Sequence, residues 1–198
     1  MTVGRSRSFD EGQVLAAAKE RFWSTGYAAA RVDDIAAATG LGKGSLYGAF
    51  GDKHQLFLRV FDDYCTGLIE AVRRQLDGSD AGAYERLQAH VLKVASATAS
   101  DVGLRGCLLA KGTAELSGQD EAVTATARRT FATIEELISS CIAAAQRAGD
   151  IRQDADPARL AGLLLAVLRG IEALGKGGGS PDALRAIAET ALALLPRS

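Results

Sequence analysis

Three features of the chain predict an all-α fold. Apolar residues recur at helical spacing along most of its 198 residues. Helix-start signals stand ahead of those apolar runs. No alternating apolar and polar run lies between turn residues as a half-buried strand would.

The first helix opens at Asp10, whose side chain caps the turn with Gln13 three residues on, while Phe9 and Val14 are spaced for a hydrophobic staple. Its apolar stripe is Val14, Ala18 and Phe22, and Gly26 is the expected left-handed stop. A short helix from about Asp33 to Thr39 follows. Gly40-Leu41-Gly42 breaks it, and a second short helix runs from Lys43 to Phe50. After the Gly51-Asp52 break, Asp52 and Gln55 repeat the capping pattern before a long helix through Leu56, Val60, Tyr64 and Leu68, which is expected to join two domains. Helices are predicted near 83–100, 105–116 and 120–148, the last stopped by Gly149. Asp156-Pro157 and Ser180-Pro181 each place a cap before a first-turn proline and announce two final helices, separated by the stretch Gly175 to Gly179. The domain reading is a short arm over 1–8, a three-helix unit over 9–51 and a larger helical domain over 52–198.

Composition narrows the function classes. The net charge is −1 and 47% of residues are apolar, yet charges interrupt the apolar runs well short of a membrane span. Met1 to Ser8 lacks the apolar core of a secretion signal. Cys65, Cys107 and Cys141 are odd in number and widely spaced, with no C-x-x-C, which argues against a disulfide framework and a zinc site and for a reducing cytoplasm. Residues 1–60 carry eight Lys or Arg against six Asp or Glu, and the rest fifteen against eighteen, so the basic excess permits a local phosphate-binding face without demanding one.

Residues 31–53 carry the functional argument. Ile35 and Ala36 are small or apolar on the inner face, Gly40 permits a turn, Leu41 fills the corner, and Leu46 and Phe50 pack the second short helix back. This is a helix-turn-helix, and its outer face is left for the major groove of DNA. The segment resembles the tetracycline-repressor (TetR) family in Ile35-Ala36, Thr39-Gly40, Lys43-Gly44-Ser45-Leu46-Tyr47, Phe50 and Lys53. The preceding helix is similar in Leu15, Ala17-Ala18, Phe22 and Gly26-Tyr27. The motif-level resemblance covers residues 9–61. It implies that Tyr47 and Lys53 grip phosphates, that Lys43 starts the recognition helix, and that Gly44 and Ser45 allow close approach. Taken singly, Tyr47 also reads as a core aromatic with a surface hydroxyl and Lys53 as a solvated lysine.

The segment departs from the family at Arg31, where a Thr or Ser cap is usual, at Gly42, and at Gly48-Ala49, where larger polar side chains commonly reach DNA. Base readout is therefore expected to be sparse, and Gly48 loosens the recognition helix by about 1 kcal/mol relative to Ala. Arg31 is a candidate phosphate contact or an ordinary exposed arginine.

In the larger domain, Arg105-Gly-Cys-Leu-Leu-Ala-Lys-Gly-Thr-Ala-Glu-Leu116 resembles a Gly-Cys-Leu segment found in some TetR regulators, part of which respond to electrophiles. Cys107 is expected in the first turn of a helix, where free N–H groups favour a thiolate, with Lys111 one turn along and Lys176 as a further candidate cation. The plain alternative is a small buried hydrophobe. Trp23, Phe61, Tyr64, Leu68, Phe131 and Ile134 line either a pocket or an ordinary core. His54 and His90 are isolated and indicate neither a metal site nor a catalytic dyad, and Glu115, Glu135 and Glu136 read as solvated or helix-pairing charges.

The last two helices are too apolar to face water on every side. Leu160, Leu163, Leu164, Val167, Leu168, Ile171 and Leu174 form one stripe, and Leu184, Ile187, Ala188, Ala191 and Leu195 another, so a four-helix interface between two copies is expected. The resemblance implies the same homodimer on a palindromic double-stranded operator, acting as a repressor released by a small-molecule or thiol-reactive effector. No cofactor, metal, membrane or catalytic activity is expected. A thiol-chemistry enzyme or a helical ligand-binding protein without specific DNA recognition is the alternative.

Overall fold

A computed structural model describes residues 10–198, so the 1–8 arm and the Phe9 side of the staple lie outside the described residues. The described residues form helices α1 (Glu11–Thr25), α2 (Val32–Thr39), α3 (Lys43–Phe50), α4 (Lys53–Leu76), α5 (Ala83–Ala99), α6 (Leu108–Leu116), α7 (Glu121–Ala148), α8 (Pro157–Lys176) and α9 (Pro181–Ala193). No strand lies among them beyond one antiparallel bridge between Ile151 and Arg197.

The caps act as the sequence predicts. Asp10 accepts from the N–H groups of Gly12 and Gln13, and Asp52 and Gln55 form a reciprocal capping box. Asp156 and Ser180 cap α8 and α9, and Asp120, which the sequence pattern did not single out as a cap, caps α7. Gly26 stops α1 with a positive φ of 83°, but its ψ of 168° is extended rather than left-handed helical. Beside it, a carboxylate from α6 occupies the space that a Cβ would fill, which is a second requirement for glycine at this position.

Two apolar clusters share α4. One gathers α1, α2, α3 and the first half of α4, including Phe22, Ile35, Leu46 and Phe57, and it also takes in Leu108 and Leu109 of α6 and Val123 of α7. The other joins the second half of α4 to α5, α7, α8 and α9 through Leu87, Ile138, Leu168 and Leu184. Burying each such Leu, Ile or Phe contributes roughly 1.5–3 kcal/mol. Of the six suggested pocket residues, Phe61 and Ile134 are buried core, while Trp23 and Tyr64 are half-buried at the edge of a cavity.

Two expectations need correction here. The helix predicted from residue 105 begins at Leu108, because Asp101 holds the preceding loop, accepting from Gly106 N at 2.9 Å and from Arg105 Nε at 3.4 Å, while Leu104 and Gly106 have φ of 47° and 65°. Cys107 is thus the N-cap with extended backbone, not a first-turn residue. The second correction concerns the proposed interface between copies. Leu164, Leu168, Ile171, Leu184, Ala188 and Leu195 are buried within the single chain, where α8 and α9 pack on α5 and α7. They have no surface left for a partner. Leu160, Val167, Ile187 and Ala191 stay half-buried, and Leu163, Leu174 and Leu194 are exposed.

Candidate nucleic-acid interface and effector cavity

α2 and α3 meet across Gly40, a left-handed residue at φ 69° that accepts no side-chain penalty, and Leu46 and Phe50 bury the inner face of α3. Helical periodicity then turns the other face outward. Lys43, Gly44, Tyr47 and Gly48 are exposed there and Ser45 is half-buried. Tyr47 is 46% exposed, so it is a surface side chain and not a core aromatic. With no side chain at Gly44 and Gly48, another backbone can approach α3 closely, and a built Cβ at Gly44 meets only open space.

The candidate cations are already engaged, weakly enough to be recruited. Lys43 Nζ lies 2.6 Å from Asp33 Oδ1, and Arg31 lies 3.9 Å from the same carboxylate, all of them largely exposed. Exposed pairs of this kind are worth about 0–1 kcal/mol, so a phosphate competes for both. Arg31 supplies no side-chain cap to α2, which starts without one. Lys53 Nζ donates to Ala28 O at 3.2 Å and stands 4.6 Å from the centre of the Tyr27 ring. The ammonium has three donors, and this seat uses one of them. Lys53 is therefore positioned, not merely solvated.

In the larger half, a cavity of about 770 Å³ opens between α1, α4, α5, α8 and the 100–107 loop, with Trp23, Tyr64, Val94, Arg105, Cys107 and Glu172 among its walls. That volume suits a small organic molecule. Trp23 and Tyr64 meet edge to face at 5.3 Å, and the Trp23 Nε1–H donates to Gly106 O at 2.6 Å. Arg105 stacks on Trp23 and pairs with Glu20 at 3.0 Å and Asp101 at 3.4 Å. Glu172 pairs with Arg169 at 2.8 Å.

Cys107 is 7% exposed on the cavity wall, with Tyr64 Oη and Arg169 Nη1 each 3.5 Å from its sulfur. Burial, and then the Glu172 carboxylate, push its thiol above the ordinary range despite Arg169, Tyr64 and the Ala110 N–H. That burial works against the thiolate expected at a helix start. Lys111 is not its cationic neighbour, because its ammonium reaches the carbonyls of Trp23 and Ser24 at the end of α1. Arg169 takes that place, and the sequence signal for it was the Arg169–Glu172 pair, the only charges in the run 160–174. The stem of Lys176 packs against Gly106, next to Cys107.

Glu115 is neither solvated nor helix-pairing, since its carboxylate accepts from Ala28 N at 3.1 Å, across 87 residues. His54 is not isolated either, because it pairs with Asp120, the cap of α7. Among the described residues no group of three or more His, Cys, Asp or Glu is placed to hold a metal ion, and no helix is long and apolar enough to cross a membrane.

Comparison with known proteins agrees with this geometry. The chain is 28% identical over 193 residues to the HTH-type transcriptional repressor ComR of Escherichia coli K12, covering 98% of this chain and 92% of that one. CifR, a TetR family transcriptional regulator solved as a cysteine mutant with 26-bp double-strand operator DNA, superposes with a TM-score of 0.82 at 28% identity, over 98% of this chain and all of CifR. A TetR regulator from Chloroflexus aurantiacus gives 0.81 at 26% identity, over 94% and 95% of the two chains. Residues 14–60 match the model described as bacterial regulatory proteins, tetR family, and residues 83–191, more than half of the chain, match that of the tetracyclin repressor-like C-terminal domain. The chain belongs to the TetR family of bacterial helix-turn-helix transcriptional regulators.

Proposed function

We propose that the protein is a repressor that binds a palindromic operator as a homodimer through residues 9–51, and leaves it when a small molecule fills the cavity of the 52–198 domain. The observation that carries this reading is the outward face of α3, where Lys43, Gly44, Ser45, Tyr47 and Gly48 stand clear of the core with Arg31 and Lys53 at its flanks. It acts by binding, in the cytoplasm, and a thiol-chemistry enzyme explains nothing of residues 31–53. Tyr47→Phe combined with Lys53→Ala tests the assignment. The folded double variant is expected to lose affinity for all DNA, with a log–log salt slope shallower by about 1 for each phosphate contact removed. An unchanged affinity in a folded variant removes the DNA-facing assignment.

The position of Cys107 on the cavity wall, between the Tyr64 hydroxyl and Arg169, favours a thiol-directed effector. Because burial raises the thiol and leaves it 7% exposed, such an effector is expected to fill the cavity before it reacts. Operator release by a quinone or aldehyde is expected in wild type, Cys65→Ser and Cys141→Ser, and not in Cys107→Ser. If Cys107→Ser is released like wild type, the effector acts without covalent chemistry.

A further inference from the structure

The turn between α1 and α2 is held from both sides. On one side, Glu115 of α6 accepts the Ala28 N–H at 3.1 Å, and its carboxylate presses into the space left by the missing side chain of Gly26. On the other, the same turn supplies the seat of Lys53, with the Ala28 carbonyl 3.2 Å from Nζ and the Tyr27 ring beneath it. One residue thus donates to α6 through its N–H and accepts from the DNA-facing lysine through its C=O.

We propose that Glu115 is a positioning residue for DNA binding, fixing the 26–28 turn so that the Lys53 ammonium stands where a phosphate meets it, and that displacement of α6 is read at the operator as loss of that contact. The inference rests on the reading of Lys53 as a phosphate contact.

α6 is built to transmit such a displacement. Its N-cap is Cys107 on the cavity wall, directly before Leu108, so a change of that wall reaches the start of the helix. Gly112 lets it lie close against Phe57 and Phe61 of α4, and Lys111 holds the last carbonyls of α1 one turn before Glu115. A cation at the C-terminal end of a helix and a carboxylate on a free N–H are each favourable local contacts, and both belong to one face of α6. Side chains on one helical face move together. A rotation of α6 that withdraws Lys111 from α1 withdraws Glu115 from the turn as well.

The test is a double-mutant cycle between Glu115 and Lys53, read as operator affinity and salt slope on the full-length protein. Glu115→Ala is expected to weaken binding roughly three- to tenfold, the value of one hydrogen bond, and to make the salt slope shallower. In a Lys53→Ala background the same substitution is expected to cost nothing further. Glu115→Gln keeps an acceptor oxygen and restores near wild-type binding. Glu115→Asp keeps the charge but draws it back by one methylene, and gives the same loss as Ala, so the result does not depend on one variant folding. An equal cost in both backgrounds, or a weakened affinity with an unaltered salt slope, overturns the role of Glu115. If Lys53→Ala alone leaves affinity and slope unchanged, the reading of Lys53 fails and the relay falls with it.

Discussion

Burial holds the His90 imidazole far below its usual range, at about 4, helped by the nearby charges of Arg169 and Lys93. Its Nδ1 lies 2.9 Å from Gln75 Oε1, an acceptor, so the neutral ring carries its proton on Nδ1. In the unfolded chain the ring takes up a proton near pH 6.5. Between that pH and about 4 the unfolded state binds the additional proton, so stability falls as the pH falls through this window, by about 3 kcal/mol in all. Urea unfolding midpoints measured from pH 7 to 4 are expected to decline less steeply in His90→Gln than in wild type. Equal slopes would show that His90 is not the group responsible. Single residues were legible in the sequence where their role is local, as with Asp10, Asp52 and Gly40. Glu115 and His54 were not, because their partners stand 87 and 66 residues away and no local spacing announces such contacts.

The helices themselves were largely readable, since a cap residue, an apolar stripe and a stop are all local chemistry. The start of α6 was not, because it is set by a loop that Asp101 ties and by two residues in the left-handed region. α8 was readable as a helix but not in its orientation. It is apolar on more than one side, and only the packing of α5 and α7 separates the inner row of Leu164, Leu168 and Ile171 from the outer row of Leu163, Val167 and Leu174. The two rows predict opposite phenotypes. Leu164→Ala is expected to cost about 2–5 kcal/mol of stability through an internal cavity. Leu163→Glu with Leu174→Glu leaves the fold intact and lowers the sedimentation mass from dimer to monomer at micromolar concentration. A dimer surviving that double substitution places the interface elsewhere. At α6, a Cβ on Gly112 would stand 2.7 Å from Phe61 Cε2, so Gly112→Ala is expected to destabilise by about 1–3 kcal/mol in thermal unfolding. If the melting temperature holds, α6 has room to move away from α4 without loss.

At the scale of the whole molecule, the first apolar cluster runs from the helix-turn-helix into α6 and α7, so the DNA-facing unit and the effector half share packing and are not merely linked by α4. A change at the cavity therefore reaches α1 by direct contact, through Trp23 and the 26–28 turn. A ligand shifts operator affinity only by its different affinity for the two arrangements of that contact. Helix count, the helix-turn-helix and the family resemblance were all in the sequence, whereas the cavity was not, because its walls come from five separate segments. The most direct test of regulation by operator binding is a footprint and salt titration of the purified protein on the DNA beside its own gene. A palindromic site with half-sites about 34–36 Å apart, or a multiple of that spacing, is expected to be protected, and its affinity to fall steeply with salt. Equal affinity for unrelated DNA, or no protected site, would contradict the account.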